Sequence, residues 1–316
     1  MSSPAVITAG ETMLLGVVSP AGRLRHARSL DVGIGGAESN VAIGLARLGV
    51  PTRWISLLGD DEVGQTVLDR VRAEGVDTAA VRRVGGRSTG MYLREQVGST
   101  VRGTYYRQGS AASTLAPGAI DRQDLQDATW LHLTGITPAL SAECAEFVGW
   151  VAAEARQAGL SISYDVNYRS RLWDAQSART FTESVLPSVD LLFVGTEEGQ
   201  VLWAWDDDEA MARQLAEQGP SEVVLKRGSV GAASWSDGSF TESPAFAVTQ
   251  VDPIGAGDAF AAGFLFAHLG GCSVQDRLRT GNALGAFCVR EHGDYEGLPS
   301  RRELDDFLNN RTDLGR

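Results

Sequence analysis

The densest piece of chemistry in the sequence is Asp252-Pro253-Ile254-Gly255-Ala256-Gly257-Asp258-Ala259-Phe260, which leads into a long apolar run. Small residues let the first amides of a helix approach an anion closely, and the helix dipole adds to the attraction. A carboxylate at that point repels phosphate, so a purely electrostatic anion site would not contain Asp258. A base that accepts a hydroxyl proton beside a phosphoryl group in transfer belongs there. The plainer reading of the same residues is a helix N-cap after a glycine turn.

Three further groups could take part in chemistry. Gly33-Ile34-Gly35-Gly36-Ala37-Glu38-Ser39-Asn40 precedes a helical pattern. A dinucleotide fingerprint would need glycine where Glu38 stands, and the chain has no Gly-Lys pair for a Walker-type phosphate loop. Gly35 and Gly36 instead allow a ligand to lie on bare backbone, with Asn40 fixing hydroxyls; an ordinary first-turn residue is the alternative for Asn40. Lys226-Arg227-Gly228-Ser229-Val230-Gly231 is a tight glycine turn after an apolar strand, and it holds the only lysine among 28 basic residues. Tyr105 and Arg107 share one strand face. Arg169 lies just past a core strand, at the end of open α/β sheets where ligands bind. Two converging guanidinium groups suit a carboxylate; surface salt bridges are the alternative for both arginines.

The elements that must position these residues alternate. Val6–Ala9, 53–58, Trp130–Thr134, Ser161–Asp165, 191–194 and 223–226 are apolar runs, with helical spacing at 38–48, 62–74 and 259–269. Such alternation predicts a mostly parallel sheet covered by helices on both faces. Short strands near 17–32 and 88–107 interrupt it and are read as a small β-sheet lid on a single domain spanning 1–316, with no repeat or low-complexity segment.

Bulk properties narrow the function. A net charge of −12 disfavours nucleic acid and anionic membrane surfaces. No apolar stretch nears the ~20 residues that span a bilayer. Cys144, Cys272 and Cys288 are few and scattered, as in a reducing cytoplasm. His26, His132, His268 and His292 match no metal-binding pattern and are read as packing or surface residues.

The glycine-rich motifs at 33–42 and 252–260 resemble the two signatures of the ribokinase-like (phosphofructokinase-B-type) carbohydrate kinases, in the right order, and the similarity runs from Gly10 to about Leu308. The resemblance implies a doubly wound α/β fold with a β-sheet lid. It also implies ATP and magnesium, a monovalent cation as a further cofactor, Asp258 as base, and an anion hole from the amides of Gly255, Ala256, Gly257 and Asp258. Lys226, Gly228 and Gly231 would lie along the nucleotide, with Asn167, Gly255, Gly257 and Asn282. Gly195-Thr196-Glu197-Glu198 takes the place of the family's N-x-x-E element, with Gly195 for its asparagine; Glu198 would organise magnesium through water, with no direct protein ligand.

Tyr105-Tyr106-Arg107 and the stretch from Asp165 to Trp173 resemble the 2-keto-3-deoxygluconate kinase branch. That implies a sugar acid over Gly35, Gly36 and Asn40, with Tyr92, Tyr105, Arg107, Arg169, Asp258 and Asp294 around it and phosphate added at its terminal hydroxyl. A homo-oligomer formed through the lid is also expected. The alternatives are a fructokinase or another sugar kinase, and a non-catalytic sugar or nucleotide sensor.

Overall fold

The computed structural model describes residues 5–98 and 100–309. Its strands in the first part of the chain are β1 (Val6–Ala9), β2 (Met13–Val18), β3 (Leu30–Gly35), β4 (Thr52–Gly59), β5 (Val81–Val84), β6 (Met91–Val97) and β7 (Thr100–Tyr106). The remaining strands are β8 (Trp130–Thr134), β9 (Ser161–Asp165), β10 (Leu191–Gly195), β11 (Glu222–Lys226), β12 (Gly231–Ser236) and β13 (Ser239–Pro244). The helices are α1 (Ala37–Arg47), α2 (Glu62–Ala73), α3 (Ala142–Gln157), α4 (Ala175–Val185), α5 (Thr196–Trp203), α6 (Asp208–Ala216), α7 (Ala256–Leu269), α8 (Val274–Cys288) and α9 (Arg301–Leu308).

β5, β4, β1, β8, β9, β10 and β11 are parallel neighbours in that order, and β12 and β13 extend the sheet antiparallel. Continuous apolar runs are what a doubly covered strand requires. Ile7, Leu131, Leu192 and Val223 face one core with Phe147 and Val151 of α3 and Leu215 of α6. Their chain neighbours Val6, Trp130, Leu191 and Val224 face the other core, with Val41 of α1, Phe264 of α7 and Leu284 of α8. After β1 the chain passes to α1 on one face; after β8 it passes to α3 on the other. The carboxyl ends of β1 and β8 therefore flank the switch point where open sheets form a crevice.

β3, β2, β6 and β7 form a separate four-stranded sheet, the lid. Its first two strands lie at the outer ends of the expected 17–32 segment, because β2 begins at Met13 and β3 ends at Gly35. The residues between are bends and one 3-10 turn, Leu24–His26. Pro20-Ala21-Gly22 and the charged run after it have no alternation that could cover a sheet face. The lid has a thin core of Met13, Leu15 and Tyr92, so polar ties to the main body must hold it. No helix among the described residues is long and apolar enough to cross a membrane.

Candidate active site

The helix starts differ in a way that bears on the site. α2, α3, α4, α6, α8 and α9 start behind Asp61, Ser141, Asp174, Asp207, Ser273 and Ser300, each side chain accepting a first-turn amide. α1, α5 and α7 start behind Gly36, Gly195 and Gly255, which have no side chain to do so. The first amides of a helix lack intrahelical acceptors. In α7, the amides of Ala256, Gly257 and Asp258 are those first donors. Gly255 has φ 79°, which favours glycine, and a Cβ there would overlap the carbonyl of Asp294.

Asp258 is buried in the first turn of α7. Asn40 Nδ2 donates to its Oδ2 at 2.9 Å and Asn167 Nδ2 to its Oδ1 at 3.2 Å. Both carboxylate oxygens are thus oriented by amides, one from α1 and one from the loop after β9. Asn167, expected along the nucleotide, makes its hydrogen bond to Asp258. Burial pushes the Asp258 carboxyl up to about 6, against the Asn40 hydrogen bond. A group with that value is ionised at neutral pH and still a useful proton acceptor.

The raised value is also a statement about stability. The folded chain holds the Asp258 proton more tightly than the unfolded chain, whose ordinary value is 3.8. This contribution is complete below about 3.8 and is lost as pH rises through about 6. At about 1.4 kcal/mol per pKa unit, an ionised Asp258 costs the fold up to about 3 kcal/mol at pH 8. Asp258→Asn should therefore raise the thermal midpoint at pH 8, by a margin that shrinks as pH falls toward 5. A midpoint at pH 8 equal to or below the parent's would contradict this.

Lys226, at the end of β11, places Nζ 2.8 and 2.6 Å from the two oxygens of Asp165. Burial opposes its charge, but the carboxylates of Asp165 and Glu198 outweigh burial and hold its pKa above the ordinary value. A Cβ on Gly257 would lie 3.4 Å from Nζ, so the ammonium stands beside the α7 amides. Glu198 accepts from the amides of Gly195 (2.8 Å) and Tyr168 (3.0 Å), and desolvation raises its pKa against the pull of Lys226. Gly228 and Gly231 both have positive φ in the turn beyond Lys226. Asn282 spends its amide protons on the carbonyls of Ser243 and Pro244, both at 3.1 Å.

On the lid side, Tyr92 donates to Asp294 Oδ2 at 2.9 Å and stacks on Tyr105 with ring centroids 5.2 Å apart. A Cβ on Gly35 would overlap the Tyr92 hydroxyl and the Asp294 carboxylate, and one on Gly36 would overlap the Glu11 carbonyl. The expected sugar residues Gly35, Tyr92 and Asp294 are thus in contact, and Tyr105 stacks on Tyr92. Burial pushes Asp294 up to about 7.

The two arginines differ. Arg107 Nε donates to Glu11 Oε2 at 2.7 Å, and Ser110 closes on the other Glu11 oxygen at 2.5 Å. The Arg169 side chain is exposed and makes no hydrogen bond or ion pair among the described residues. Its charge is still felt at Asp258 and Glu198.

The sequence assigned no role to Glu11, Asp165, Arg94 or Asp252. Asp165 was detectable as the head of the motif that carries Asn167 and Arg169 at a strand's carboxyl end. Arg94 was detectable two residues from Tyr92, on the same strand face. Glu38, which rules out a dinucleotide fingerprint, is buried and accepts from Thr134 and Thr137, each at 2.7 Å. Its carboxyl is pushed up to about 7, chiefly by burial, and a Cβ on Gly10 would overlap it.

A buried carboxylate between two amides, beside a lysine and a glycine-started helix under a lid, can deprotonate a hydroxyl next to an anion. The chain belongs to the pfkB family of carbohydrate kinases, whose family model matches residues 6–301. Among its relatives, a 2-dehydro-3-deoxygluconokinase of Bacillus subtilis is 39% identical over 308 residues, 96% of this chain and 94% of its own length. A 2-dehydro-3-deoxygalactonokinase of Haloferax volcanii is 36% identical, covering 92% of each chain. A protein described as a ribokinase II from E. coli, solved with ATP and Mg2+, superposes with TM-score 0.89 at 26% identity, over 97% of this chain and 99% of its own.

Proposed function

We propose that the protein transfers the γ-phosphoryl group of ATP to the terminal hydroxyl of 2-keto-3-deoxygluconate, which is 2-dehydro-3-deoxygluconate, giving the 6-phosphate. The supporting observation is Asp258, a buried carboxylate held at both oxygens and set among the first amides of α7. The Bacillus subtilis relative named for that substrate supports the sugar acid. The Haloferax volcanii relative makes the galactonate epimer an additional candidate.

In this reading the sugar lies on Gly35 and Gly36 beneath Tyr92 and Tyr105, with its carboxylate on Arg169 and the free edge of Arg107. Asp258 takes the proton of the terminal hydroxyl, whose oxygen then attacks the γ-phosphorus in line. The amides of Gly255 to Asp258 stabilise the charge on the phosphoryl oxygens, and Lys226 adds a fixed positive charge beside them. Magnesium bound with ATP would offset phosphate charge. Asp165 and Glu198, flanking Lys226, form a carboxylate set that suits holding it through water. The nucleotide would run along Gly228, Gly231 and Asn282.

The resemblance also admits a monovalent cation, and equal turnover in potassium and tetramethylammonium buffers would remove it. Leu30, Val32, Val97, Val101, Tyr105 and Tyr106 are exposed on the lid. They support a homo-oligomer formed through it, which a one-chain mass in sedimentation would refute. A reducing, ATP-containing cytoplasm suits three free cysteines, two of them buried. Residues 1–316 would act as one kinase domain.

The Arg107–Glu11 pair favours a second reading, a fructokinase or another neutral-sugar kinase, because it leaves one unpaired guanidinium instead of two. Phosphorus NMR of the product tests the first reading. A phosphomonoester on the terminal carbon of the keto-deoxy acid is expected, and ATP hydrolysis without a sugar phosphate would refute it.

A further inference from the structure

Among the described residues, Arg94 is the one guanidinium that the lid buries inside the molecule at the site, and it is 3% exposed. It projects from β6, two residues beyond Tyr92. Its Nη1 donates to Asp294 Oδ1 at 3.3 Å, and its Nη2 lies 3.0 Å from Asp252 Oδ2 as an ion pair without hydrogen-bond alignment. Among the described residues neither carboxylate has another ion-pair partner.

Those two aspartates sit on the two loops that shape the start of α7. Asp252 opens the glycine-rich stretch, and its Oδ1 accepts the amide of Ile254 at 3.1 Å, fixing the backbone just before Gly255. Asp294 lies in the C-terminal loop, and its carbonyl packs against Gly255 so closely that a Cβ would overlap it. Asp294 also takes the Tyr92 hydroxyl. One lid strand therefore grips both walls of the anion hole, through a fork that balances two buried carboxylates with one positive charge. Removing one partner from such a cluster leaves charge buried and unpaired.

We propose that Arg94 is a positioning residue, which couples the seating of the lid to the geometry of the 255–258 amides through Asp252 and Asp294. It touches neither substrate nor phosphate in this account. Its effect on turnover rests on the kinase reading above, whereas its effect on the loops does not. A purely structural staple would lower the melting temperature without slowing folded enzyme. A positioning residue must slow the chemical step and loosen the 252–258 and 292–296 loops while nucleotide binding survives.

The test compares Arg94→Met, which keeps length and removes charge, with Arg94→Lys, which keeps charge and loses the two-armed fork. Losing a charge-assisted contact should lower kcat of Arg94→Met by about 10- to 100-fold, with KM for ATP within about threefold. Arg94→Lys should fall between it and the parent. Hydrogen exchange, measured without substrate, should speed up over 252–258 and 292–296 and stay at the parental rate in α3. If Arg94→Met does not fold, the Arg94→Lys kcat and exchange carry the decision. Parental kcat and parental exchange in the variant that folds would overturn the proposal. A parent without turnover would sink the kinase reading, and exchange alone would then decide the coupling.

Discussion

Asp258→Asn is expected to lose about 10²–10⁴-fold in kcat, the usual cost of removing a general base, while ATP and sugar affinities stay within a few-fold of the parent. Asparagine keeps the shape of the side chain, but its amide cannot take a proton. Of the two donors on the carboxylate, Asn40 and Asn167, one must turn away from the new NH2 group, a local adjustment within a packed site. The same carboxyl sets the acid limb of the parent. Its value is raised to about 6 in the ligand-free protein, so kcat/KM should fall as pH drops through about 6 and the base becomes protonated. More than a tenth of parental kcat in Asp258→Asn would remove Asp258 from the base role. Combined with the expected gain in midpoint at pH 8, the substitution separates chemistry from stability, a trade frequent at active sites.

Arg169→Ala should lower kcat/KM for 2-keto-3-deoxygluconate by about one to two orders of magnitude, from a charge-assisted hydrogen bond of about 1.5–3 kcal/mol. Activity on a neutral sugar such as fructose should fall much less. Arg169 has no protein partner among the described residues, so its removal leaves no unpaired carboxylate behind. Arg107 is different, because Glu11 already neutralises it. Arg107→Ala would strand a buried carboxylate and should harm acid and neutral substrates together. Arg169→Lys should also be impaired, since an ammonium cannot form the bidentate fork. Equal losses on acid and neutral substrates in Arg169→Ala would assign Arg169 to the fold or the phosphates.

Much of this architecture could be read from local pattern. Runs such as 191–194 and 223–226, apolar except for the closing Lys226, required a sheet covered on both faces, and the structure has it. The glycine motif at 252–258 placed Asp258 at a helix start, where it is found. The pairing of buried charges was not legible. Arg94 meets Asp294 across 200 residues of sequence, and Asn40 meets Asp258 across 218; no local spacing encodes such contacts. Arg107 was expected on a strand, which instead ends at Tyr106, and no local spacing pointed to Glu11, which lies 96 residues earlier. Of the lid, the 88–107 segment does hold β6 and β7, whereas β2 and β3 run past the ends of the 17–32 segment for a related reason. An open four-stranded sheet with a three-residue core imposes little alternation on its sequence.

The most direct test of the account is a coupled ATP-dependent assay of the parent across 2-keto-3-deoxygluconate, its galactonate epimer, fructose and ribose. The highest kcat/KM is expected on a keto-deoxy acid, with no comparable turnover on the neutral sugars. A parent that phosphorylates fructose or ribose more efficiently than either acid would contradict it.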